Sequence, residues 1–276
     1  MSAQGRPERG DPMTLHVETS GEGPPLVMLH GFALHGGVFA TVVPALARRY
    51  RVHVVDLPGH GHSIAPAGGL DAYAQAVATV IDSIGGSASL VGWSFGGQVA
   101  LRLAQLRPKQ VHSLVLACTT PKFVASESWP HAMAQQTLAR FGDELAVSYR
   151  LTLQRFLTLQ VQGSEAGRRS LHALREALFA RGAPSKETLS GALRILMQTD
   201  LRDDVAAIST PTLVIAGQRD ALTPAAAGAW LAAAMPQARY REIAGAAHAP
   251  FLSHADAFAA AIDQFLDVDA ATLSRA

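Results

Sequence analysis

Ser89-Leu90-Val91-Gly92-Trp93-Ser94-Phe95-Gly96-Gly97-Gln98-Val99-Ala100 passes from an apolar run, through a serine set between glycines, into a helix-compatible run. The spacing is G-x-S-x-G. A chain that leaves a strand and enters a helix within one residue forces that residue into a strained conformation. Its neighbours two positions away must then be small, so that the backbones can approach. Such a turn lifts the Ser94 hydroxyl to the C-terminal edge of a parallel sheet, where open α/β folds place their sites. The bland alternative is a glycine-rich turn carrying a solvated serine.

The rest of the chain repeats the same alternation. Short apolar runs rich in β-branched residues occur at Leu26–Leu29, Val52–Val55, Ser89–Val91, Ser113–Leu116 and Thr212–Ile215, with a further strand expected at Tyr240–Ile243. Helix-compatible stretches separate them at Asp71–Ile84, Gly97–Leu106 and Ala225–Ala234. Strands alternating with helices predict a mostly parallel α/β sheet covered on both faces. Thr223-Pro224 reads as an N-cap with proline at the first helical position.

The alternation stops between Pro121 and Asp200. That segment reads as helices over His131–Ala139, Asp143–Leu159, Glu165–Ala180 and Lys186–Met197. It is expected to be a helical insertion, or cap, at 121–200, on a core formed by 1–120 and 201–276, with 1–12 a loose tail. The insertion holds ten Lys and Arg against seven Asp and Glu, whereas the remainder holds thirteen against fifteen.

With 276 residues, 49% of them hydrophobic, the chain is long enough for one large core. A net charge of +1 argues against nucleic acid and membrane surfaces as partners. The single cysteine, Cys118, rules out an intrachain disulfide and a multi-cysteine metal site. It suits a reducing compartment. No run reaches the length of a membrane span, and the first residues lack the apolar core of a secretory signal. A cytoplasmic monomer without metal or cofactor is the expectation.

A serine hydroxyl needs a base to take its proton. Of eleven histidines, His248 is best placed, in the small-residue loop Ala244-Gly245-Ala246-Ala247-His248-Ala249-Pro250 between the last strand and a C-terminal helix from about Ala255. His254 is expected at the start of that helix, and His60 and His62 are expected on the surface of the turn 58–63. The base needs an acid to hold its tautomer. Asp220 follows the strand Thr212–Ile215 and precedes a helix; the competing reading is an Asx-turn residue. An oxyanion needs two N–H donors. Those of Phe95, after the serine, and of Phe32, in the loop His30-Gly31-Phe32-Ala33, are the candidates.

Leu29-His30-Gly31-Phe32, Val55-Asp56-Leu57-Pro58-Gly59-His60-Gly61, the Ser94 turn and Ala247-His248-Ala249-Pro250-Phe251 together resemble the α/β-hydrolase superfamily, over residues 14–267. The order Ser94, Asp220, His248 is that superfamily's order. Some of its members carry the acid after an earlier strand; here that place reads Ala117-Cys118-Thr119-Thr120, without a carboxylate.

Ser128-Trp129-Pro130, Arg155-Phe156-Leu157-Thr158-Leu159-Gln160, Leu193-Arg194-Ile195-Leu196 and Thr199-Asp200-Leu201-Arg202 narrow the likeness. They resemble the pimeloyl-[acyl-carrier protein] methyl ester esterases of biotin synthesis. The resemblance implies hydrolysis of a methyl ester on a carrier-bound pimeloyl chain. It implies a substrate site lined by Phe32, Ser94, Phe95, Phe156, Leu157, Thr158, Leu159, Gln160 and His248. It implies an acyl carrier protein docked on Arg150, Arg155 and Arg168. Where this chain has Phe32 and Phe95, that family often has Trp and Leu; the main-chain donors survive both changes. Phe156, Leu157 and Leu159 suit the dry wall of an acyl tunnel, with Gln160 as its polar reader; helical spacing sets Phe156 and Gln160 on one face. A broad short-chain carboxylesterase or perhydrolase remains an alternative, as does a non-catalytic protein that binds acyl groups or a carrier.

Overall fold

The computed structural model describes residues 15–64, 68–164, 166–182 and 184–273, and the side chains of all of these except residues 179 and 268–273. The expected tail at 1–12 lies outside them. Seven strands form one sheet: β1 (Val17–Ser20), β2 (Pro25–Leu29), β3 (Arg51–Val55), β4 (Ala88–Trp93), β5 (Val111–Ala117), β6 (Thr212–Gly217) and β7 (Ala238–Ile243). Their order is β1-β3-β2-β4-β5-β6-β7. β1 pairs antiparallel with β3, and every other pairing is parallel.

The sequences of the strands explain their places. β4 and β6 are buried at every position, and β2, β3 and β5 at all but one. Continuous apolar runs of this kind fit a parallel sheet covered on both faces. β1 and β7 are mostly exposed and sit at the two edges, where polar side chains guard unpaired backbone. β1, with the sequence VETS, carries neither an apolar run nor a clear alternation, and went unforeseen.

The helices are α1 (Val43–Leu46), α2 (Leu70–Ser83), α3 (Phe95–Leu106), α4 (Gln135–Gln160), α5 (Gly167–Ala180), α6 (Lys186–Gln198), α7 (Ala225–Ala234), α8 (Pro250–Ser253) and α9 (Ala255–Leu273). α3 packs on β4 and β5 beside α2, while α9 packs on β5 and β7 and against α1 and α8. Among the described residues, no helix is long and apolar enough to cross a membrane.

Between β5 and β6 the long helices are α4, α5 and α6. The two helices expected at His131–Ala139 and Asp143–Leu159 are one element, α4, which starts later, at Gln135, and is broken at Ser148 by a non-helical backbone (φ −135°, ψ 55°). His131 and Met133 instead belong to an irregular stretch in which Val124 bridges Met133 and Ser126 bridges Trp129. The ends of this segment are clasped together. Leu201 N donates to Pro121 O at 3.0 Å. The Arg202 guanidinium donates to Ser128 O at 3.2 Å, pairs with Asp200 and lies 5.7 Å from the centre of the Trp129 ring. The Ser-Trp-Pro and Thr-Asp-Leu-Arg stretches, far apart in sequence, form one joint.

A second tie follows α5. Arg181 reaches down to the buried Asp56 carboxylate at 3.1 Å and also pairs with Glu18 of β1. Asp56 in turn accepts from Gly36 N and His62 N, at 2.8 and 3.0 Å. Burial alone would raise the Asp56 carboxyl, but those amides and Arg181 outweigh it and hold it below the usual range. Removing one partner of a buried pair leaves a bare charge. Arg181→Met is therefore expected to cost about 3 kcal/mol of stability, read from the urea midpoint at pH 7. An unchanged midpoint would mean that the two amides alone satisfy Asp56.

Candidate active site

The turn after β4 is built as its spacing requires. Ser94 has φ 54° and ψ −116°, a conformation that non-glycine residues rarely adopt. A Cβ on Gly92 would sit 2.6 Å from Gly96 O, and one on Gly96 would sit 2.4 Å from Leu29 O. Only hydrogen fits at either place. The turn is braced from β5, since Ser94 N donates to Ala117 O at 3.0 Å and Thr119 Oγ1 donates to Ser94 O at 2.7 Å.

Three loops meet over the C-terminal edge of the sheet. Ser94 Oγ lies 2.9 Å from His248 Nε2, and His248 Nδ1 lies 2.8 Å from Asp220 Oδ2. All three residues are buried. Asp220 Oδ1 accepts from the amides of Leu222 and Thr223, both at 2.9 Å, and Oδ2 also accepts from Thr223 Oγ1 at 2.6 Å. Burial by itself would raise this carboxyl; the His248 ring and the Thr223 donors outweigh it and hold Asp220 ionised. Its acceptor sites thus force His248 to carry its proton on Nδ1, leaving Nε2 bare to accept from Ser94. Such a chain can take a proton from the hydroxyl as the oxygen attacks a carbonyl.

Thr223 was expected to cap a helix. Its hydroxyl is used on Asp220 instead, and α7 takes Pro224 as its N-cap without a side-chain bond. The backbone around His248 is held from two sides: Gln160 O accepts from His248 N at 3.0 Å, and Trp93 Nε1 donates to His248 O at 2.7 Å. His254, expected at the start of the C-terminal helix, sits immediately before α9. His60 is fully buried, not on the surface: its ring lies 5.3 Å from that of His30, tilted by 60°, its Nδ1 donates to Pro58 O, and burial pushes it down to about 4.

Phe95, the first residue of α3, directly follows Ser94, and Phe32 lies in the loop after β2, next to Gly31, whose Cβ would come within 3.3 Å of Ser94 Cβ. Neither amide donates to a protein acceptor among the described residues. The Phe95 ring turns away from the site and packs 5.2 Å from Tyr73 of α2, so only its main chain belongs to the edge. The Phe32 ring meets Phe141 at 6.0 Å and Phe156 at 5.8 Å, both from α4. Phe141 and Phe156 are 5.3 Å apart and close an aromatic wall. Leu157 and Gln160 are buried, whereas Thr158 and Leu159 lie on the outer side of the helix. The wall expected from Leu159 is made by Phe141, whose position in sequence gave no signal beyond an aromatic on a helix.

Of the three arginines expected to dock a partner, all are exposed. Arg155 pairs with Glu144 at 3.6 Å, and Arg150 lies over the Tyr149 ring at 5.9 Å. Val147 is 83% exposed and Leu151 49%, which leaves apolar surface on the same stretch of α4.

Cys118 Sγ, Asp220 and His248 have ligand atoms within 4.8 Å of one another. Metal binding at such a set needs the thiolate. Burial, reinforced by Asp220, pushes the Cys118 thiol well above its usual range, and Asp220 and His248 are already bonded to each other. The set does not fit a resident metal.

Two proteins named pimeloyl-[acyl-carrier protein] methyl ester esterase align along almost the whole chain. That of Nitrosomonas europaea is 45% identical over 250 residues, covering 91% of this chain and 98% of its own. That of Xanthomonas campestris pv. campestris is 46% identical over 255 residues, with the same shares. The family model of the alpha/beta hydrolase fold matches residues 24–255. The chain belongs to the pimeloyl-[acyl-carrier protein] methyl ester esterase family of α/β hydrolases. Among solved structures, a bromoperoxidase from Bacillus anthracis superposes with a TM-score of 0.81 at 27% identity, covering 92% of this chain and 95% of its own. The C-terminal end of α4 reaches the edge of the sheet where Ser94, Asp220 and His248 meet, through the bond from His248 N to Gln160 O.

Proposed function

We propose that this member of the family is a serine carboxylesterase that converts the methyl ester of pimeloyl-acyl carrier protein to pimeloyl-acyl carrier protein and methanol in biotin synthesis. The observation that carries the reading is the Ser94–His248–Asp220 hydrogen-bonded chain, together with the Phe32–Phe141–Phe156 wall, in a chain 45% identical to a protein named for that reaction.

Ser94 Oγ attacks the ester carbonyl carbon and its proton passes to His248 Nε2. The new oxyanion takes hydrogen bonds from the amides of Phe32 and Phe95. Collapse breaks the bond to the methoxy oxygen, which leaves as methanol with the proton from His248. Water then gives a proton to His248 and attacks the acyl-enzyme, and the second collapse returns that proton to Ser94. No step calls on a metal or cofactor. Residues 121–200 act as the cap: Phe156, Leu157 and Gln160, with Phe32, shape the acyl site. Thr158 and Leu159 contribute through the helix that carries them.

The carrier protein docks on the outer cap through the exposed Arg150, Arg155 and Arg168, with Val147 and Leu151 as exposed apolar surface on α4. The enzyme acts in the cytoplasm as a monomer in this reading. An acidic carrier is steered by such a field, and reversing two charges is expected to lower kcat/KM for the carrier-bound ester about tenfold to a hundredfold. The Arg155→Glu/Arg168→Glu double variant should leave hydrolysis of p-nitrophenyl butyrate at the wild-type level. Equal losses on both substrates would reject docking at these arginines. A wild-type enzyme that prefers the free ester to the carrier-bound one would instead support a broad carboxylesterase.

A further inference from the structure

Behind the loop that carries Phe32 stands a buried histidine that the reaction above does not use. His30 directly follows β2 and is wholly inaccessible. Its Nε2 accepts from Leu57 N at 2.9 Å. A backbone amide can only donate, so Nε2 is bare and the proton is on Nδ1. Nδ1 lies 2.8 Å from Gly31 O, which can only accept. Backbone partners at both nitrogens therefore choose one tautomer. Burial, together with the nearby His60, pushes His30 far below an ordinary imidazole, so the ring stays neutral.

The carbonyl of Gly31 and the amide N–H of Phe32 belong to the same peptide group. The chain has no cis peptide bond among the described residues, so this C=O and N–H point in opposite directions. Fixing the oxygen fixes the direction of the N–H. This peptide needs fixing, because a glycine on one side lowers the resistance to a flip. A side chain there would crowd the site: a Cβ on Gly31 would sit 3.0 Å from the Trp93 ring and 3.3 Å from Ser94 Cβ. The backbone donor to Gly31 O, Leu34 N, is long at 3.4 Å.

We propose that His30 is a positioning residue for the ester hydrolysis: its Nδ1–H anchors Gly31 O and thereby aims the Phe32 amide at the oxyanion, while the Leu57 amide holds the imidazole in place. The inference rests on the reading of Phe32 N–H as an oxyanion donor. His30 touches neither substrate nor Ser94, and acts only through this peptide plane. The Leu57 contact ties the donor to the turn after β3, which gives the Asp56-Leu57-Pro58-Gly59 stretch a role in the reaction geometry.

Two near-isosteres separate the two nitrogens. The side-chain amide of asparagine reaches the place of Nδ1, and that of glutamine reaches the place of Nε2. His30→Asn keeps a donor for Gly31 O; His30→Gln keeps an acceptor for Leu57 N but loses that donor. The readouts are kcat and KM on p-nitrophenyl butyrate, affinity for a trifluoromethyl ketone that forms a hemiketal oxyanion with Ser94, and Tm. Losing one oxyanion donor outright costs about 10²–10³ in kcat, which bounds the effect of letting it swing. His30→Gln is expected to lower kcat about 10- to 100-fold at unchanged KM, and to weaken the ketone by a similar factor. His30→Asn is expected to recover most of both. If both variants lose kcat alike while the ketone still binds as to wild type, or if neither loses any, His30 is not a positioning residue.

Phe32 replaced by phenyllactate, which exchanges its N–H for an ester oxygen, tests the underlying reading separately. A wild-type kcat there overturns Phe32 as donor, and the His30 role with it. A large loss there beside a wild-type His30→Gln overturns only the His30 role.

Discussion

Ser94→Ala is expected to lower kcat on p-nitrophenyl butyrate by about 10⁴-fold or more, with an unfolding midpoint no lower than that of the wild type. Among the described residues the hydroxyl makes one hydrogen bond, to His248 Nε2 at 2.9 Å. Its loss therefore leaves no buried donor stranded, and the Nε2 lone pair is the only acceptor released. Alanine tolerates φ 54° no worse than serine, so the strain of the turn is unchanged. The fall in rate is thus chemical and not structural, and Tm measured on the same sample separates the two. Labelling by a fluorophosphonate should disappear with the hydroxyl. Hydrolysis at the wild-type rate by purified Ser94→Ala would remove the nucleophile from the mechanism, and a retained label would place it elsewhere.

Asp220→Asn is expected to cost about 10⁴-fold in kcat while the fold remains intact. The reason lies in the donors around the carboxylate. Oδ1 faces the amides of Leu222 and Thr223, which only donate. An asparagine must therefore turn its oxygen toward them and its NH₂ toward Thr223 and His248. Thr223 can rotate its hydroxyl to accept, but His248 Nδ1 must then become the acceptor. The ring proton moves to Nε2, which donates to Ser94 Oγ and cannot take its proton. The test is kcat at neutral pH beside the unfolding midpoint. A variant within tenfold of wild type would show that Asp220 does not control the tautomer.

Much of this arrangement is legible in one dimension. A strand followed by G-x-S-x-G and a helix requires a strained turn, because no other backbone brings the two elements so close; Gly92 and Gly96 are small for that reason. The alternation of apolar runs and helices yields the parallel sheet, since each run is buried on both faces. Sheet patterning stops after β5 and resumes at β6, and the Leu201–Pro121 hydrogen bond ties the two ends of the helical stretch between them. Strand β1 escaped detection because an edge strand needs little apolar surface. Sequence patterning divides the stretch 131–159 at 140–142, whereas α4 runs through that point and its backbone breaks at Ser148, inside the second expected helix.

The side chains that complete the site were less visible. Thr223 followed a strong local rule, a threonine before proline at a helix start. The carboxylate of Asp220 competes for the same hydroxyl and wins because it is buried and charged. His60 looks like a surface turn residue because polarity predicts exposure; here the turn folds inward, so that Nδ1 donates to Pro58 O and the ring lies against His30. Phe141 could not be singled out among helical aromatics, since its role depends on Phe32 and Phe156 arriving from distant parts of the chain.

By itself, then, the order of residues determined the α/β sheet, the serine turn, and the loops that hold Asp220 and His248, because strand and turn preferences are local and each motif carries its own steric reason. Only the tertiary structure decided which proton sits on which ring nitrogen, which face of α4 looks inward, and how His30 meets Gly31 and Leu57. Those depend on hydrogen bonds between backbone groups brought together by folding, and such groups leave no mark on residue identity.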